Sequence, residues 1–265
     1  MALQYHLKID DGDVAPFVLL PGDPGRVPIV ASFWDEAHEV ARNREYVTYT
    51  GTYKGVPISC TSTGIGAPST AIAVEELARV GAKGFLRIGT CGTFRHDVAL
   101  GDIGIFDAAE RFDGASRLYA PIEFPAAAHH EVVAAAIEAA RRTELTAHVG
   151  TTHSTDLFYV PRAGSTVGGV VQSNWAQWYE DVARRGVLAV EMEASVIFVL
   201  ARQWGLRAGA IAVITDSMVE EMATDGGDWD PQASFVYGPE QIERLARMGS
   251  EVAVVLAERD AARAG

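Results

Sequence analysis

Short apolar runs alternate along the chain with longer segments in which apolar residues recur every three to four positions. The runs FVLL, GFLRIG, DIGIF and LAVEM have the length of strands, and polar or glycine-containing stretches follow them. Helical patterns cover 68–82, 129–142, 194–205 and 243–264, and the first of these has proline at its start and glycine near its end. Strands that alternate with helices predict an α/β domain with a largely parallel or mixed sheet.

The domain organisation follows from length and composition. A chain of 265 residues is long enough for one large domain or two small ones. It has no internal repeat and no linker rich in proline, glycine or serine, so residues 1–265 are predicted to form a single domain. In α/β sheets ligands bind beyond the carboxyl ends of the strands. The glycines, hydroxyls and unexplained charges of this sequence follow its predicted strands, so we expect the functional site at that edge.

Two glycine-containing turns carry arginines that are candidates for binding an anion. In PGDPGR, Gly22 and Arg26 follow a strand, and backbone N–H groups with a nearby guanidinium suit an oxyanion. An ordinary surface turn is the alternative. In FLRIGTCG, Arg87 lies inside an apolar strand, where arginine is rarely buried without a partner. The following turn, which contains Thr90, favours a phosphate cradle over a structural ion pair.

A third glycine pattern, TGIGAPS, resembles a dinucleotide-binding fingerprint with Ser69 in the third small position. That fingerprint requires an acid at the end of the next strand, and GFLRIGT carries none, so the pattern does not indicate NAD. A glycine turn that leads into a helix N-terminus still suits a small ligand.

Several acids and aromatics interrupt apolar stretches. Glu191 and Glu193 flank Met192 in GVLAVEMEASVIFVLARQWG, and because an unpaired buried carboxylate is costly, each is expected to have a partner or a task. Asp216 ends an apolar strand and is either a cap or a general acid. Phe158 belongs either to the core or to the wall on which a flat ring stacks.

Charge and cysteine content exclude some classes of function. The 22 basic and 35 acidic residues give a net charge of −13, which is unfavourable for binding nucleic acid or an anionic membrane. Cys60 and Cys91 are too few for a four-ligand zinc site, and no metal is expected. The N-terminus lacks signal-peptide features and no apolar run is long enough for a membrane span. We therefore expect a reducing, cytoplasmic setting with both thiols free.

Together these motifs resemble the nucleoside phosphorylase superfamily, and within it the branch of uridine phosphorylases and hexameric purine nucleoside phosphorylases. The matching stretches cover nearly the whole chain and include PGDPGRV, NREYVTYTGTYKGVPIS, FLRIGTCG, DLFY, VEMEAS and the strand ending in TDS. The resemblance implies a mixed central sheet, partly barrel-like, with helices on both sides. It also implies reversible phosphorolysis of a (deoxy)ribonucleoside to free base and (deoxy)ribose 1-phosphate, with phosphate as co-substrate and no metal or organic cofactor.

The resemblance also implies three groups of binding residues, for phosphate, ribose and base. Phosphate would be bound by Gly22, Arg26, Arg44, Arg87 and Thr90. Ribose would be bound by His6, Met192 and Glu193. The base would be bound by Cys91, Gly92, Phe158, Arg162, Glu191 and Asp216. Arg87 and Asp216 would carry the catalysis, and Glu191 has the alternative task of ordering arginines. Arg44 and His6 would serve a neighbouring subunit, which implies a homo-oligomer in which dimers share active sites, and in this family such dimers usually assemble into hexamers.

The base is the point at which the sequence departs from both subfamilies. Uridine phosphorylases read uracil with a Gln and an Arg, and this chain has Arg162 and Gly164 at those positions, which would leave the base edge unpaired. Asp216 matches the acid of purine phosphorylases, although the loop 217–235 lacks the arginine that assists it. A purine nucleoside is therefore expected, with uridine as the alternative. The loop is either a lid or a surface loop.

Two further alternatives keep the same fold. A nucleoside hydrolase would use water in place of phosphate, but it does not need the anion cradle of Arg26, Arg87 and Thr90. A nucleoside-binding protein without activity does not need Asp216.

Overall fold

The computed structural model describes residues 3–159, 166–170, 172–218 and 235–265. Within these ranges, nine strands form one sheet in the order β2-β3-β4-β1-β5-β8-β7-β6-β9. They are β1 (Phe17–Leu20), β2 (Glu36–Asn43), β3 (Tyr46–Tyr53), β4 (Val56–Thr61), β5 (Gly84–Thr93), β6 (Ile103–Phe112), β7 (Ala147–Thr155), β8 (Ala189–Glu191) and β9 (Arg207–Ser217). The helices are α1 (Arg26–Ala31), α2 (Ala67–Arg79), α3 (Ala115–Tyr119), α4 (His130–Arg142), α5 (Trp175–Arg184), α6 (Ala194–Gln203) and α7 (Pro239–Ala264).

Five of the strands close into a ring. β5 pairs with β9 in parallel, with Gly84 opposite Arg207, and with β8 in antiparallel, with Gly92 opposite Val190. β8 continues in parallel to β7 and β7 to β6, and β6 returns to β9 in antiparallel. The other four strands extend from β5 through β1 as an open sheet. The predicted mixed, partly barrel-like sheet is therefore confirmed.

Helices cover the sheet on two sides, each over its own apolar core. On one side α2 and α6 pack together and contribute Val74, Leu77 and Phe198 to the core. On the other side α1 and α4 pack against α7, with Val30 and Leu256 in the core. This confirms the predicted single α/β domain with helices on both sides. Among the described residues, no helix combines the length and apolar character that crossing a membrane requires.

The predicted elements and the observed ones differ mainly where apolar signal is weak. The hairpin β2–β3 was not predicted, because most of the side chains of β2 are exposed and the strand lacks an apolar run. The short helices α1, α3 and α5 were also missed. The closing helix begins at Pro239 rather than at residue 243, with proline in its first turn, where its missing N–H costs nothing.

Candidate active site

A cavity of about 770 Å³ opens where β1, β4, β5, β8 and β9 end, as predicted for an α/β sheet. Its volume is typical of a site for a small molecule. Eleven of the predicted site residues line it: Gly22, Arg26, Arg87, Thr90, Cys91, Gly92, Phe158, Glu191, Met192, Glu193 and Asp216. The structure thus brings the phosphate, ribose and base candidates of this chain into one space. Arg162 and most of the loop 217–235 lie outside the described residues.

Arg87 points from the middle of β5 towards two glutamates. Its Nε lies 2.8 Å from Oε2 of Glu191, and its Nη2 forms an ion pair with Oε2 of Glu193. The guanidinium can fold back along the strand because residue 89 is glycine: a Cβ at Gly89 would lie 2.8 Å from Nη2. Burial opposes the positive charge, but the two carboxylates outweigh burial and raise the pKa of Arg87 above its ordinary value.

Glu191 lies at the N-terminus of α6, where its carboxylate is fully engaged. Its Oε2 accepts hydrogen bonds of 2.9 Å from the backbone N–H groups of Glu193 and Ala194. Its Oε1 accepts from the hydroxyl of Ser154. Free N–H groups at a helix N-terminus favour a negative charge. This geometry favours the ordering of Arg87 as the task of Glu191 over contact with a base.

Glu193 has one oxygen bound and one available. Its Oε1 accepts a 2.7 Å hydrogen bond from the N–H of Gly66, the residue that precedes α2. Its Oε2 meets Arg87 as an ion pair without hydrogen-bond geometry, so among the described residues this buried oxygen has no hydrogen-bond donor. Burial raises the pKa of Glu193, and neighbouring Glu191 adds to the effect, although Arg87 opposes it.

Asp216 reaches the cavity through a bulge at the end of β9. Cys91 lies opposite Ile214, but the next residue, Gly92, lies opposite Asp216, so Thr215 is the additional residue. A bulge re-aims side chains, and both Thr215 and Asp216 line the cavity. The hydroxyl of Thr215 donates to Oδ1 of Asp216 at 2.8 Å. Gly92 leaves the space for Oδ2, since a Cβ there would lie 2.7 Å from it.

The first glycine turn, which follows β1, also lines the cavity. The carbonyl of Gly22 accepts a 3.0 Å hydrogen bond from the N–H of Gly64, which joins the turn after β1 to the turn after β4. The guanidinium of Arg26 lies 4.6 Å from the ring centre of Tyr237. Within the described part of the chain, neither Nε of Arg26 nor the hydroxyl of Tyr237, both buried, has a hydrogen-bond partner.

Several lining residues were missed by the sequence predictions. Glu45, Thr215, Phe235 and Tyr237 line the cavity. Ser69, which appeared only in the rejected fingerprint, also lines it and donates a 3.0 Å hydrogen bond to Glu45. The motif NREY could have indicated Glu45. Nothing in the sequence pattern marked Tyr237, because it follows a loop and comes to the site only through the fold.

His6 and Arg44 do not line the cavity of this chain. Nδ1 of His6 lies 2.7 Å from Oε1 of Glu76, and the carbonyl of His6 accepts a 2.6 Å hydrogen bond from Asn43. Arg44 is exposed and has a φ of +55°, at the turn between β2 and β3. Their contribution to a neighbouring subunit stays a prediction.

The remaining predicted residues are Phe158 and the two cysteines. Phe158 is partly exposed and packs edge-on against Tyr159, with ring centres 5.1 Å apart. Cys60 and Cys91 are buried and free, and burial raises the pKa of both thiols. Sγ of Cys91 donates to the carbonyl of Val213 at 3.6 Å. Nowhere in the described ranges do three His, Cys, Asp or Glu side chains form a group suited to a metal ion.

The arrangement suits an anion and a polyol bound side by side. Arg26, Arg87 and Thr90 can hold an oxyanion, because guanidinium groups pair well with such ligands. The available oxygen of Glu193 lies next to them and can accept hydrogen bonds from hydroxyl groups. Asp216 and Phe158 lie in the same cavity and can face a third, planar group.

Comparison with known proteins gives matches over most of the chain. The model of the Phosphorylase superfamily matches residues 16–246. A uridine phosphorylase of Thermococcus kodakarensis is 45% identical over 250 residues, which cover 94% of this chain and 89% of that protein. A guanosine phosphorylase of Halorubrum lacusprofundi is 37% identical over 250 residues, 94% of this chain and 97% of that protein. A uridine phosphorylase of Escherichia coli is 40% identical over 222 residues, 82% and 88% of the two chains.

Proposed function

The chain belongs to the phosphorylase superfamily, and from that membership we propose that it is a uridine phosphorylase, which converts uridine and phosphate into uracil and ribose 1-phosphate. The family expected from the sequence is confirmed, and so is the enzyme class, a pentosyltransferase of the nucleoside phosphorylase type. The expected preference for a purine is not confirmed. Uridine, the alternative, fits the relatives better, since two of the three described above are uridine phosphorylases.

One observation carries the proposal. Two buried polar atoms of cavity-lining residues, Nε of Arg26 and the hydroxyl of Tyr237, have no hydrogen-bond partner in the described part of the chain. Two more, Nε of Arg87 and Oε2 of Glu193, form ion pairs with Glu191 and with Arg87 but no hydrogen bond to a described residue. Native proteins rarely leave such atoms unsatisfied, and their concentration in one cavity supports a polar ligand there. Two belong to guanidinium groups and one to a carboxylate, a combination that suits phosphate next to a sugar.

In the proposed mechanism, phosphate is held by Arg26, Arg87 and Thr90, on the side of the cavity formed by β1 and β5. Glu193 accepts hydrogen bonds from the ribose hydroxyls, and Met192 supplies an adaptable apolar contact with the sugar. Fixing both reactants in one geometry can lower the barrier by several kcal/mol. As the glycosidic bond breaks, the sugar becomes oxocarbenium-like, and the phosphate anion both stabilises it and attacks the anomeric carbon.

A second candidate substrate is a purine nucleoside such as guanosine. Asp216 favours it, because this buried carboxyl lines the cavity next to Gly92 and could protonate a departing purine. The relative from Halorubrum lacusprofundi, a guanosine phosphorylase, supports the same reading. No metal or organic cofactor enters either reaction as proposed. Arg44 and His6 are proposed to complete the site of a neighbouring subunit in a homo-oligomer.

The test is release of free base from uridine, thymidine, guanosine, inosine and adenosine, each with and without phosphate. We expect release from uridine that depends on phosphate. Release of base at the same rate with and without phosphate would indicate a hydrolase and contradict the proposal. Predominant release from guanosine would favour the second candidate, and Asp216→Asn should then reduce activity on guanosine far more than on uridine.

A further inference from the structure

A chain of buried hydrogen bonds leads from Asp113 to Glu191, which in turn forms an ion pair with Arg87. The hydroxyl of Ser195 donates to Oδ2 of Asp113 at 2.5 Å, and the backbone N–H of Ser195 donates to Oγ of Ser154 at 3.0 Å. Ser154 in turn donates to Oε1 of Glu191, whose Oε2 pairs with Nε of Arg87 at 2.8 Å. All five residues are buried. Three elements, β7, β8 and α6, are thereby connected to the guanidinium on β5.

The direction of these bonds is fixed at Ser154. A serine hydroxyl has one proton to donate and accepts through its oxygen. The N–H of Ser195 can only donate, so Oγ of Ser154 is its acceptor and the single proton of Ser154 is directed to Glu191. The hydroxyl of Ser195 points the other way, to Asp113. Only one of these two buried hydroxyls therefore acts on the carboxylate that holds Arg87.

We propose that Ser154 is a positioning residue for phosphate binding, because it fixes the orientation in which Glu191 holds Arg87. The inference rests on the proposed function, in which Arg87 binds phosphate. Oε2 of Glu191 is already shared among two backbone N–H groups and Arg87. Oε1 has Ser154 as its donor, and without that hydroxyl a buried oxygen would lose its hydrogen bond and the carboxylate would rotate.

The second partner of Arg87 cannot take over this task. Glu193 pairs with Arg87, but in the proposed reaction it also binds the ribose hydroxyls. When Glu193 turns its available oxygen to the sugar, Glu191 remains as the carboxylate that holds the guanidinium. The orientation of Glu191 should therefore affect the binding of phosphate more than the binding of the nucleoside.

Two serine-to-alanine variants separate this role from a general loss of buried hydroxyls. Ser154→Ala removes the bond to Glu191 and also the acceptor of the backbone N–H of Ser195. Ser195→Ala removes an equally buried hydroxyl of the same network, which points to Asp113, and leaves both bonds of Ser154 in place. Binding of inorganic phosphate is measured by calorimetry without nucleoside. KM for phosphate and KM for uridine are then measured separately.

For Ser154→Ala we expect phosphate affinity to fall about tenfold, within the range of couplings inside one hydrogen-bond network. KM for uridine should change less than about twofold, and Ser195→Ala should bind phosphate like the wild type. Ser154→Cys keeps a weaker S–H donor, so an intermediate affinity is expected. It replaces Ser154→Ala in the comparison if circular dichroism shows that the alanine variant does not fold.

The outcomes distinguish the two proposals. A wild-type protein that does not bind phosphate contradicts the proposed function itself. If the wild type binds phosphate and the Ser154 variants bind it equally well, the positioning role is wrong. The positioning role is also wrong if Ser195→Ala lowers the affinity for phosphate as much as Ser154→Ala does. It is wrong too if Ser154→Ala changes the KM for phosphate and the KM for uridine to the same extent.

Discussion

The guanidinium of Arg87 forms ion pairs with two buried carboxylates, those of Glu191 and Glu193. The sequence favoured a phosphate cradle over pairing with a structural acid. The structure shows that Arg87 pairs with two acids, and its binding of phosphate stays a proposal. Glu191 supplies the structural pairing, and Glu193 lies next to the remaining space of the cavity. Breaking such a buried pair leaves uncompensated charge and typically costs about 3–5 kcal/mol. Arg87→Ala would therefore mix a loss of stability with any loss of phosphate binding.

Arg87→Lys is a cleaner test of the phosphate role. Lysine keeps the positive charge between Glu191 and Glu193 but loses the planar fork that binds an oxyanion with two hydrogen bonds. We expect kcat/KM for phosphate to fall on the order of 10²-fold, comparable with the loss of one preorganised donor. Steady-state kinetics with phosphate varied measures this, and KM for uridine is the internal control. Unchanged phosphate kinetics would remove Arg87 from the phosphate site.

Glu193 is expected to make nucleoside binding depend on pH. In the proposed reaction the ribose hydroxyls need the ionised carboxylate as acceptor, and burial raises the pKa of Glu193 above the ordinary value of about 4.3. Because the folded-state pKa is raised, protonation begins at a higher pH than for an exposed glutamate. Nucleoside affinity should therefore weaken as pH falls, before ordinary glutamates titrate. Fluorescence titration with uridine, without phosphate and over a pH series, measures this.

The matched control is Glu193→Gln, which keeps the shape of the side chain but cannot ionise. It should bind uridine more weakly and show a flat profile in the same pH range. A wild-type affinity that stays constant down to the ordinary range of glutamate, or a glutamine variant with the same pH dependence as the wild type, would show that another group titrates.

At the scale of elements, the ends of β5 and β9 shape the site. β5 contains three glycines, and two of them leave room for charged side chains: Gly89 for Arg87, and Gly92 for Asp216. The bulge in β9 turns two consecutive side chains, Thr215 and Asp216, to the cavity, which a regular strand cannot do.

Gly89→Ala tests whether the guanidinium of Arg87 needs the space that glycine leaves at position 89. The new Cβ would lie 2.8 Å from Nη2 of Arg87, which must move away from Glu193. We expect KM for phosphate to rise about tenfold and stability to fall by about 1–3 kcal/mol, as in other overpacked sites. Enzyme kinetics and urea unfolding measure the two effects.

Gly114→Ala is the control for the glycine substitution, because the nearest atom to its Cβ would be Oδ2 of Asp156 at 3.5 Å, an ordinary contact. It should leave both quantities nearly unchanged. Equal effects at the two glycines would indicate a backbone effect rather than displacement of Arg87.

At the scale of the whole molecule, the turn of the hairpin β2–β3 carries residues that bear on the proposed oligomer. At its turn Glu45 lines the cavity of its own chain, whereas the adjacent Arg44 is exposed and does not. His6, bound to Glu76 and Asn43, also lies away from the cavity of its own chain. Within a single chain, the cavity gives no role to Arg44 or His6. This is expected if both side chains complete the site of a neighbouring subunit, as proposed.

Complementation between two inactive variants tests the sharing. Arg44→Ala removes the arginine given to a neighbour, and Arg26→Ala removes one from the chain's own cavity. In a mixed dimer one site has both arginines and the other has neither, so random pairing should restore about a quarter of wild-type sites. Co-expression of differently tagged chains and activity of the mixture measure this. A mixture no more active than its parents would show that Arg44 does not cross to a neighbour.

The sequence by itself determined the alternation of strands and helices and the edge of the sheet that holds the site. With the family resemblance it also indicated eleven of the lining residues. It could do so because apolar periodicity and glycine turns are local signals. Only the tertiary structure decided that β5 and β9 close a ring and that Glu191 is occupied by Arg87 and Ser154. Only it brought Tyr237 to the cavity. These facts depend on contacts between residues far apart in the chain, such as Ser154 and Glu191 or Arg26 and Tyr237, and no local pattern encodes them.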